Sequence, residues 1–228
     1  MSRECAERPP VITIDGPAGA GKSTAARALA DRLGFRLIDT GAMYRALAWS
    51  VERAGLPVED TPALRRHLAA VDVELAGDQV LVDGRDISGE IRTREISDLT
   101  SRLTMLAPVR ERVTPLQRRM AAAGGVVLEG RDTGTVVCPD ADVKFYLDAS
   151  GDARARRRQA ELRDRGVTVD LSTVRDEIAL RDHQDTTRAL APLRKAPDAI
   201  LVDTTDLDIP QVVEAMLKIV EKRCCTGS

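Results

Sequence analysis

The nine residues GPAGAGKST, Gly16 to Thr24, restrict what this chain can fold into more than any other segment. They satisfy G-x-x-x-x-G-K-[ST], in which glycines let the backbone curl so that its N–H groups point inward at phosphate oxygens. The flanks supply the context this needs. VITID, Val11 to Asp15, is a short apolar run bounded by Pro10 and Gly16 and reads as a buried strand. Ser23 to Leu33 carries apolar residues at helical spacing and stops at Gly34. Strand, glycine loop and helix N-terminus together make an anion site, because the helix end adds partial positive charge. Gly16, Gly19 and Gly21 provide the curl, with Pro17, Ala18 and Ala20 between them. Lys22 is placed to reach the β- and γ-phosphates of a nucleotide, the Ser23 hydroxyl to ligand Mg²⁺, and Thr24 completes the motif.

Strand and helix keep alternating beyond the loop. FRLID (Phe35 to Asp39) predicts a second strand, and Thr40 to Ala54 a helix closed by Gly55. GVVLEG (Gly125 to Gly130), VKFYLD (Val143 to Asp148) and AILVD (Ala199 to Asp203) are further apolar runs of strand length. Helices are expected over Ala153 to Arg165, Leu171 to Arg188 and Ile209 to Lys222. This rhythm implies an α/β fold of the P-loop NTPase type, a mostly parallel sheet flanked by helices. One region departs from it. VDVELAGDQVLVDG, from Val71, alternates apolar and polar residues across Gly77-Asp78 and predicts an antiparallel hairpin. Residues 61–97 are therefore expected to be a small β-containing insertion in a single domain, 9–223, whose core is about 9–60, 98–150 and 189–223. Segments 1–8 and 224–228 are expected to be flexible termini.

Composition excludes several classes. Trp49, Tyr44, Tyr146, Phe35 and Phe145 are the whole aromatic inventory, too few for the stacking platforms of a single-strand nucleic-acid binder. A net charge of -2 argues against a nucleic-acid or anionic-membrane partner. Cys5, Cys138, Cys224 and Cys225 form no C-x-x-C pair, which fits neither a disulfide framework nor a zinc site. The start, MSRECAERPP, lacks the apolar core of a signal peptide, so a cytoplasmic location is expected. With no long exposed apolar stripe evident, a monomer is expected as well.

The loop does not decide what happens to the phosphate, because switches, motors and small-molecule kinases share it. A kinase for a phosphorylated acceptor must hold two polyanions together, and fixed cations have to offset their repulsion. Arg154, Arg157 and Arg158, at i, i+3 and i+4, place three guanidinium groups on one helical face. Arg181, Asp185 and Arg188, at i, i+4 and i+7, set a carboxylate between two arginines. Glu129 should end a strand beside the loop strand, with Arg131 and Asp132 just beyond the carboxyl edge where ligands of such sheets bind. There Glu129 could help hold magnesium through water, or simply cap a turn. A kinase acting on UMP or on a hydroxylated metabolite remains open at this point, as does a nucleotide-dependent switch. The guanine-reading N-K-x-D is absent, which weakens a GTPase.

Five blocks taken together amount to a family resemblance. GPAGAGKST, DTGAMYR (Asp39 to Arg45), GEIRT (Gly89 to Thr93), EGRDTGTVV (Glu129 to Val137) and RDHQDTTRALAPL (Arg181 to Leu193) resemble bacterial cytidylate kinases, in order, from about Val11 to Val220. The resemblance implies transfer of a phosphoryl group from MgATP to CMP or dCMP. It implies that Arg45, Arg131 and Arg188 clamp the acceptor's phosphate with Tyr44 beside them, and that Ser101, Arg110 and Asp132 face the cytosine. Arg181 and Asp185 would contact the sugar, and Thr40 would lie near the nucleotide. Arg154, Arg157 and Arg158 would sit in a helical lid over ATP, about 151–188, with Lys22, Arg131, Arg158 and Arg188 as the catalytic cations. The insertion corresponds to the family's monophosphate-binding segment. Cytosine's amino donor and its N3 and O2 acceptors suit a carboxylate and an arginine together, whereas uracil would set its O4 against Asp132.

Overall fold

A computed structural model of the chain describes residues 8–164 and 166–225. In chain order these form β1 (Val11–Asp15), α1 (Lys22–Leu33), β2 (Arg36–Asp39), α2 (Thr40–Arg53), α3 (Pro62–Ala70), β3 (Val73–Ala76), β4 (Gln79–Val82) and β5 (Arg85–Asp86). There follow α4 (Arg94–Leu103), α5 (Ala107–Ala121), β6 (Val126–Glu129), β7 (Val143–Asp148), α6 (Gly151–Asp164), α7 (Leu171–Thr187), β8 (Ile200–Asp203) and α8 (Ile209–Cys225). Cys5 and Arg165 lie outside the described residues, as do the expected flexible termini except Arg8 and the last turn of α8. Among the described residues no helix is long and apolar enough to cross a membrane.

Five strands form one sheet in the order β2-β6-β1-β7-β8. β1 lies at its centre, pairing in parallel with β6 (Thr13 opposite Leu128) and with β7 (Ile14 opposite Phe145). All five β1 residues are buried, and its apolar residues Val11, Ile12 and Ile14 do not keep to one alternating face. Gly34 closes α1 in the left-handed region, φ 67°, as its position after the last periodic residue predicts.

The chain divides into two compact units, Met1–Leu37 with Ala123–Ser228, and Ile38–Ala122. The first has a core of Ile12, Ile14, Leu29, Phe145, Leu147 and Met216. The second is built on α2, whose Met43, Leu47 and Val51 pack with Leu64, Val80, Ile91 and Leu103. It contains the expected hairpin: β3 and β4 are antiparallel, with Ala76 opposite Gln79 across Gly77-Asp78, and Gly77 at φ 61°. A third short strand, β5, extends the hairpin sheet.

One helical count departs from expectation. α7 ends at Thr187, and Arg188 has φ −58° and ψ 141°, so it leaves the helical face that i, i+4, i+7 spacing assigns to it. It comes back toward Asp185 by side-chain reach rather than by helix geometry.

Candidate active site

Steric demand shapes the phosphate loop. Gly16 sits at φ 149°, and a Cβ there would lie 2.0 Å from the Leu147 carbonyl oxygen on β7. Gly19, at φ 76°, would bring a Cβ to 2.9 Å from the Arg154 carbonyl oxygen. Gly21, at φ 83°, caps α1 with no side-chain acceptor, so the first N–H groups of the helix face the loop. Lys22 is buried and donates to the Pro17 carbonyl at 2.6 Å. Burial first, and then the Arg131 guanidinium, push its pKa down to about 7.

Ser23 donates its hydroxyl to the buried Glu129 carboxylate at 2.8 Å. Two hard oxygen donors at this separation fit Mg²⁺, which keeps most of its waters and takes few protein ligands. Among the described residues no group of three or more His, Cys, Asp or Glu gathers into a metal cluster.

Beyond β6 the chain turns through Arg131 and Asp132 into a π-helical segment, Thr133–Val137. The buried Asp15, last residue of β1, pins that turn: it accepts from the Thr133 N–H at 2.9 Å, the Thr133 hydroxyl at 2.8 Å and the Gly134 N–H at 2.8 Å. Burial raises the Asp15 pKa, those hydrogen bonds oppose the rise, and the neighbouring Asp132 adds to it. Arg131 donates from Nε to Asp185 at 2.8 Å. Arg188 approaches Asp132 at 3.6 Å and Asp185 at 3.7 Å, and donates to the Ala191 carbonyl at 2.7 Å. For Asp185, burial works to raise the pKa, but Arg131, with Arg181 and Arg188, outweighs it and holds the carboxyl below its ordinary range. Lys22, Glu129, Arg131, Asp132, Arg181, Asp185 and Arg188 thus share one electrostatic neighbourhood.

The three arginines of α6 diverge. Arg154 donates to the Ala18 carbonyl at 3.1 Å and forms an ion pair with Asp182 on α7. Arg157 binds the turn after β8, donating to the Thr204 hydroxyl at 2.9 Å and to the Thr204 carbonyl. Arg158 pairs with Glu161 at 2.8 Å along its own helix. Only Arg154 touches the phosphate loop directly. Arg157 reaches it through Thr204, whose hydroxyl lies 3.2 Å from the Ala20 carbonyl oxygen.

In the second unit Thr40, Tyr44 and Arg45 lie on α2, Ser101 on α4 and Arg110 on α5. Thr40, Tyr44 and Arg110 are buried, and the Arg110 guanidinium lies 5.7 Å from the centre of the Tyr44 ring, within cation–π reach. Asp39 caps α2 by accepting from the Ala42 N–H at 2.7 Å, while its other oxygen accepts from Arg45 at 2.9 Å. Ser101 turns its hydroxyl back to the Ser97 carbonyl at 3.2 Å on its own helix. Three acids that hold functional elements, Asp15, Asp39 and Asp182, escape the spacing arguments. The signal available for the first two is their place at the last residue of a strand, just before a loop or helix start.

A glycine cradle at the carboxyl end of the central parallel strand, with a buried lysine and converging arginines, defines a kinase-type P-loop protein. The family model for cytidylate kinase matches residues 12–222. A cytidylate kinase of Geobacter sp. (strain M21) is 47% identical over 221 residues, covering 95% of each chain. One of Pelotomaculum thermopropionicum is 49% identical over 213 residues, 91% of this chain and 94% of its own. The chain belongs to the cytidylate kinase family. Among solved structures, an uncharacterized protein from Eubacterium ventriosum ATCC 27560 has a TM-score of 0.53 at 14% identity, covering 94% of this chain and 99% of that one, and shares the fold alone.

Proposed function

We propose that the chain transfers the γ-phosphoryl group of ATP to the 5′-phosphate of CMP or dCMP, releasing ADP and the corresponding diphosphate. The observation that carries this reading is the meeting of Lys22, Arg131, Arg181 and Arg188 with Asp132 and Asp185 beside the phosphate loop, in a member of the cytidylate kinase family. Arginines in that number suit an acceptor that already carries phosphate.

The donor's phosphates bind the N–H groups of Gly19 to Ser23 and the Lys22 ammonium, while the Ala18 N–H stays on Asp182. Ser23, with Glu129 through water, would hold Mg²⁺, which would supply neutralising charge to the donor's phosphates. Arg131 and Arg188 take the acceptor's phosphate, exchanging their present carboxylate partners for a stronger anion. Asp132 reads the cytosine amino group, and Arg181 and Asp185 hold the sugar. Thr40, Tyr44, Arg45, Ser101 and Arg110 serve acceptor binding, and Arg154, Arg157 and Arg158 steady the donor. Positioning and charge neutralisation supply the catalysis, so no strong general base is needed. The protein acts as a monomer on the cytoplasmic nucleotide pool.

The test is ADP release from MgATP with CMP, dCMP, UMP, AMP and GMP in turn. Release with CMP and dCMP alone is expected. Equal release with UMP would remove the cytosine-reading role from Asp132. Release that ignored the acceptor would point to an ATPase or switch and overturn the reading.

A further inference from the structure

Helix α7 presents one continuous face that changes character halfway along. Val174, Ile178 and Asp182 follow at i, i+4 and i+8, with Asp185 three residues further, so all four project to the same side. Val174 and Ile178 are buried in a small cluster with Ala155 of α6. The second half of the face carries two carboxylates instead. Asp182 accepts from the Ala18 N–H of the phosphate loop at 3.3 Å and pairs with Arg154. One turn on, Asp185 accepts from Arg131 at 2.8 Å and lies 3.7 Å from Arg188.

Ala18 is consequently held at both of its backbone polar groups. Its N–H is bound by Asp182 and its carbonyl by Arg154 at 3.1 Å, and Arg154 is itself gripped by Asp182. The next residue, Gly19, is packed so closely that a Cβ would meet the Arg154 carbonyl oxygen at 2.9 Å. The outer stretch of the loop therefore cannot shift without moving Arg154 and Asp182. A helix is a stiff rod over one turn, so displacement at Asp185 is felt at Asp182.

We infer that Asp182 is a positioning residue that couples the acceptor side of the site to the donor side. It acts through Ala18 and Arg154 and need not touch either nucleotide. This rests on the cytidylate kinase reading above, since it takes Arg131, Arg188 and Asp185 as the acceptor's partners. A carboxylate is required rather than any polar group: Arg154 needs an anion, while the Ala18 N–H needs only an acceptor. Asp182→Asn therefore keeps the loop contact but weakens the tie to Arg154.

The experiment is calorimetric titration of the full chain with a non-hydrolysable ATP analogue, with and without saturating CMP. Coupling between sites is a reciprocal free energy, typically a factor of about 5 or more in affinity. The wild-type chain should bind the analogue at least about fivefold more tightly with CMP present. In Asp182→Asn that ratio should fall to within about twofold of unity, with the affinity for CMP alone unchanged. A purely structural ion pair would lower the melting temperature and leave the ratio intact, and that result would overturn the inference. A wild-type ratio near unity would also overturn it while leaving the kinase reading standing. Failure of CMP to bind at all would instead remove the reading it rests on. Should Asp182→Asn not fold, Asp182→Glu must keep the ratio and Arg154→Ala must lose it.

Discussion

The Asp15 carboxylate accepts both the backbone N–H and the hydroxyl of Thr133, at 2.9 and 2.8 Å, across 118 residues of sequence. With its second oxygen on the Gly134 N–H at 2.8 Å, it fastens the turn that follows Arg131 and Asp132 to the end of the strand that launches the phosphate loop. Asp15→Asn would set an amide N–H₂ against one of these donors, costing about 1–3 kcal/mol of stability. A turn displaced by even about 1 Å should lower kcat roughly ten- to hundredfold. The pH dependence supplies a separate check. The folded chain holds this proton more tightly than the unfolded chain, so Asp15 makes stability decline as pH rises from the ordinary 3.8 through its raised pKa. Melting curves of the variant should lose that decline. An unchanged acid profile together with normal turnover would contradict the role assigned to Asp15.

Lys22 offers a titration in the neutral range. Its pKa of about 7 reflects burial first and the Arg131 charge second, and a bound phosphate would supply the anion that raises it. ADP binding above pH 7 should therefore take up a fraction of a proton, and affinity should weaken as pH rises from there. Calorimetry in two buffers of different ionisation enthalpy measures the uptake. In the folded chain without nucleotide, the lowered pKa means that stability rises with pH between about 7 and the ordinary 10.5 as the buried charge is relieved. Lys22→Met should flatten that rise and lower turnover by at least about a hundredfold. Proton release on ADP binding, rather than uptake, would contradict this account.

Glycines at positive φ should separate into two kinds. At Gly16 a Cβ would stand 2.0 Å from a backbone oxygen of β7, a contact that only movement of the central sheet could relieve. At Gly34, φ 67°, nothing lies within 4 Å of the added carbon. Gly34→Ala should then cost about 1 kcal/mol, the strain of the left-handed backbone alone. Gly16→Ala should cost more than about 3 kcal/mol or prevent folding. Chemical denaturation of the two variants decides between a steric origin and a merely conformational one.

What the sequence reveals and what it hides follow from the range of the interactions. Buried parallel strands such as β1 and β7 are short, mostly apolar runs, and the Gly77-Asp78 hairpin alternates apolar and polar residues, so both are legible locally. α4 and α5 are less so. The buried face of α4 is Ile96, Thr100 and Leu103, with a threonine where an apolar residue would carry the period, and α5 contains Pro115. The start signals are nonetheless present, since Thr61 and Thr93 cap α3 and α4 through Leu64 and Ile96. At the site, residue types in the motif blocks are readable, but partners are not. Asp182 and Ala18 are 164 residues apart. The arginines of α6 share a face by spacing, yet Arg154 and Arg157 take partners far away in sequence, Ala18 and Thr204, and only Arg158 keeps a local one, Glu161 on its own helix.

Asp39 makes two contacts, a helix cap and a pairing with Arg45, that mutation can separate. One oxygen caps α2 through Ala42 at 2.7 Å, and the other holds Arg45 at 2.9 Å, with Gly41 packed so tightly between them that a Cβ would meet Arg45 Nη1 at 3.1 Å. Asp39→Asn keeps a capping oxygen but removes the charge that orients Arg45, whereas Asp39→Ala removes both. The alanine variant should lose about 1 kcal/mol of stability for the missing cap, and the asparagine variant only a fraction of that. Both should raise KM for CMP by a similar factor, roughly three- to tenfold, as expected for one charge-assisted contact, with KM for ATP unchanged. Parallel changes in KM and stability across the two variants would show that the cap alone matters. Divergence, with asparagine stable but weak in CMP binding, would assign Asp39 to the placement of Arg45.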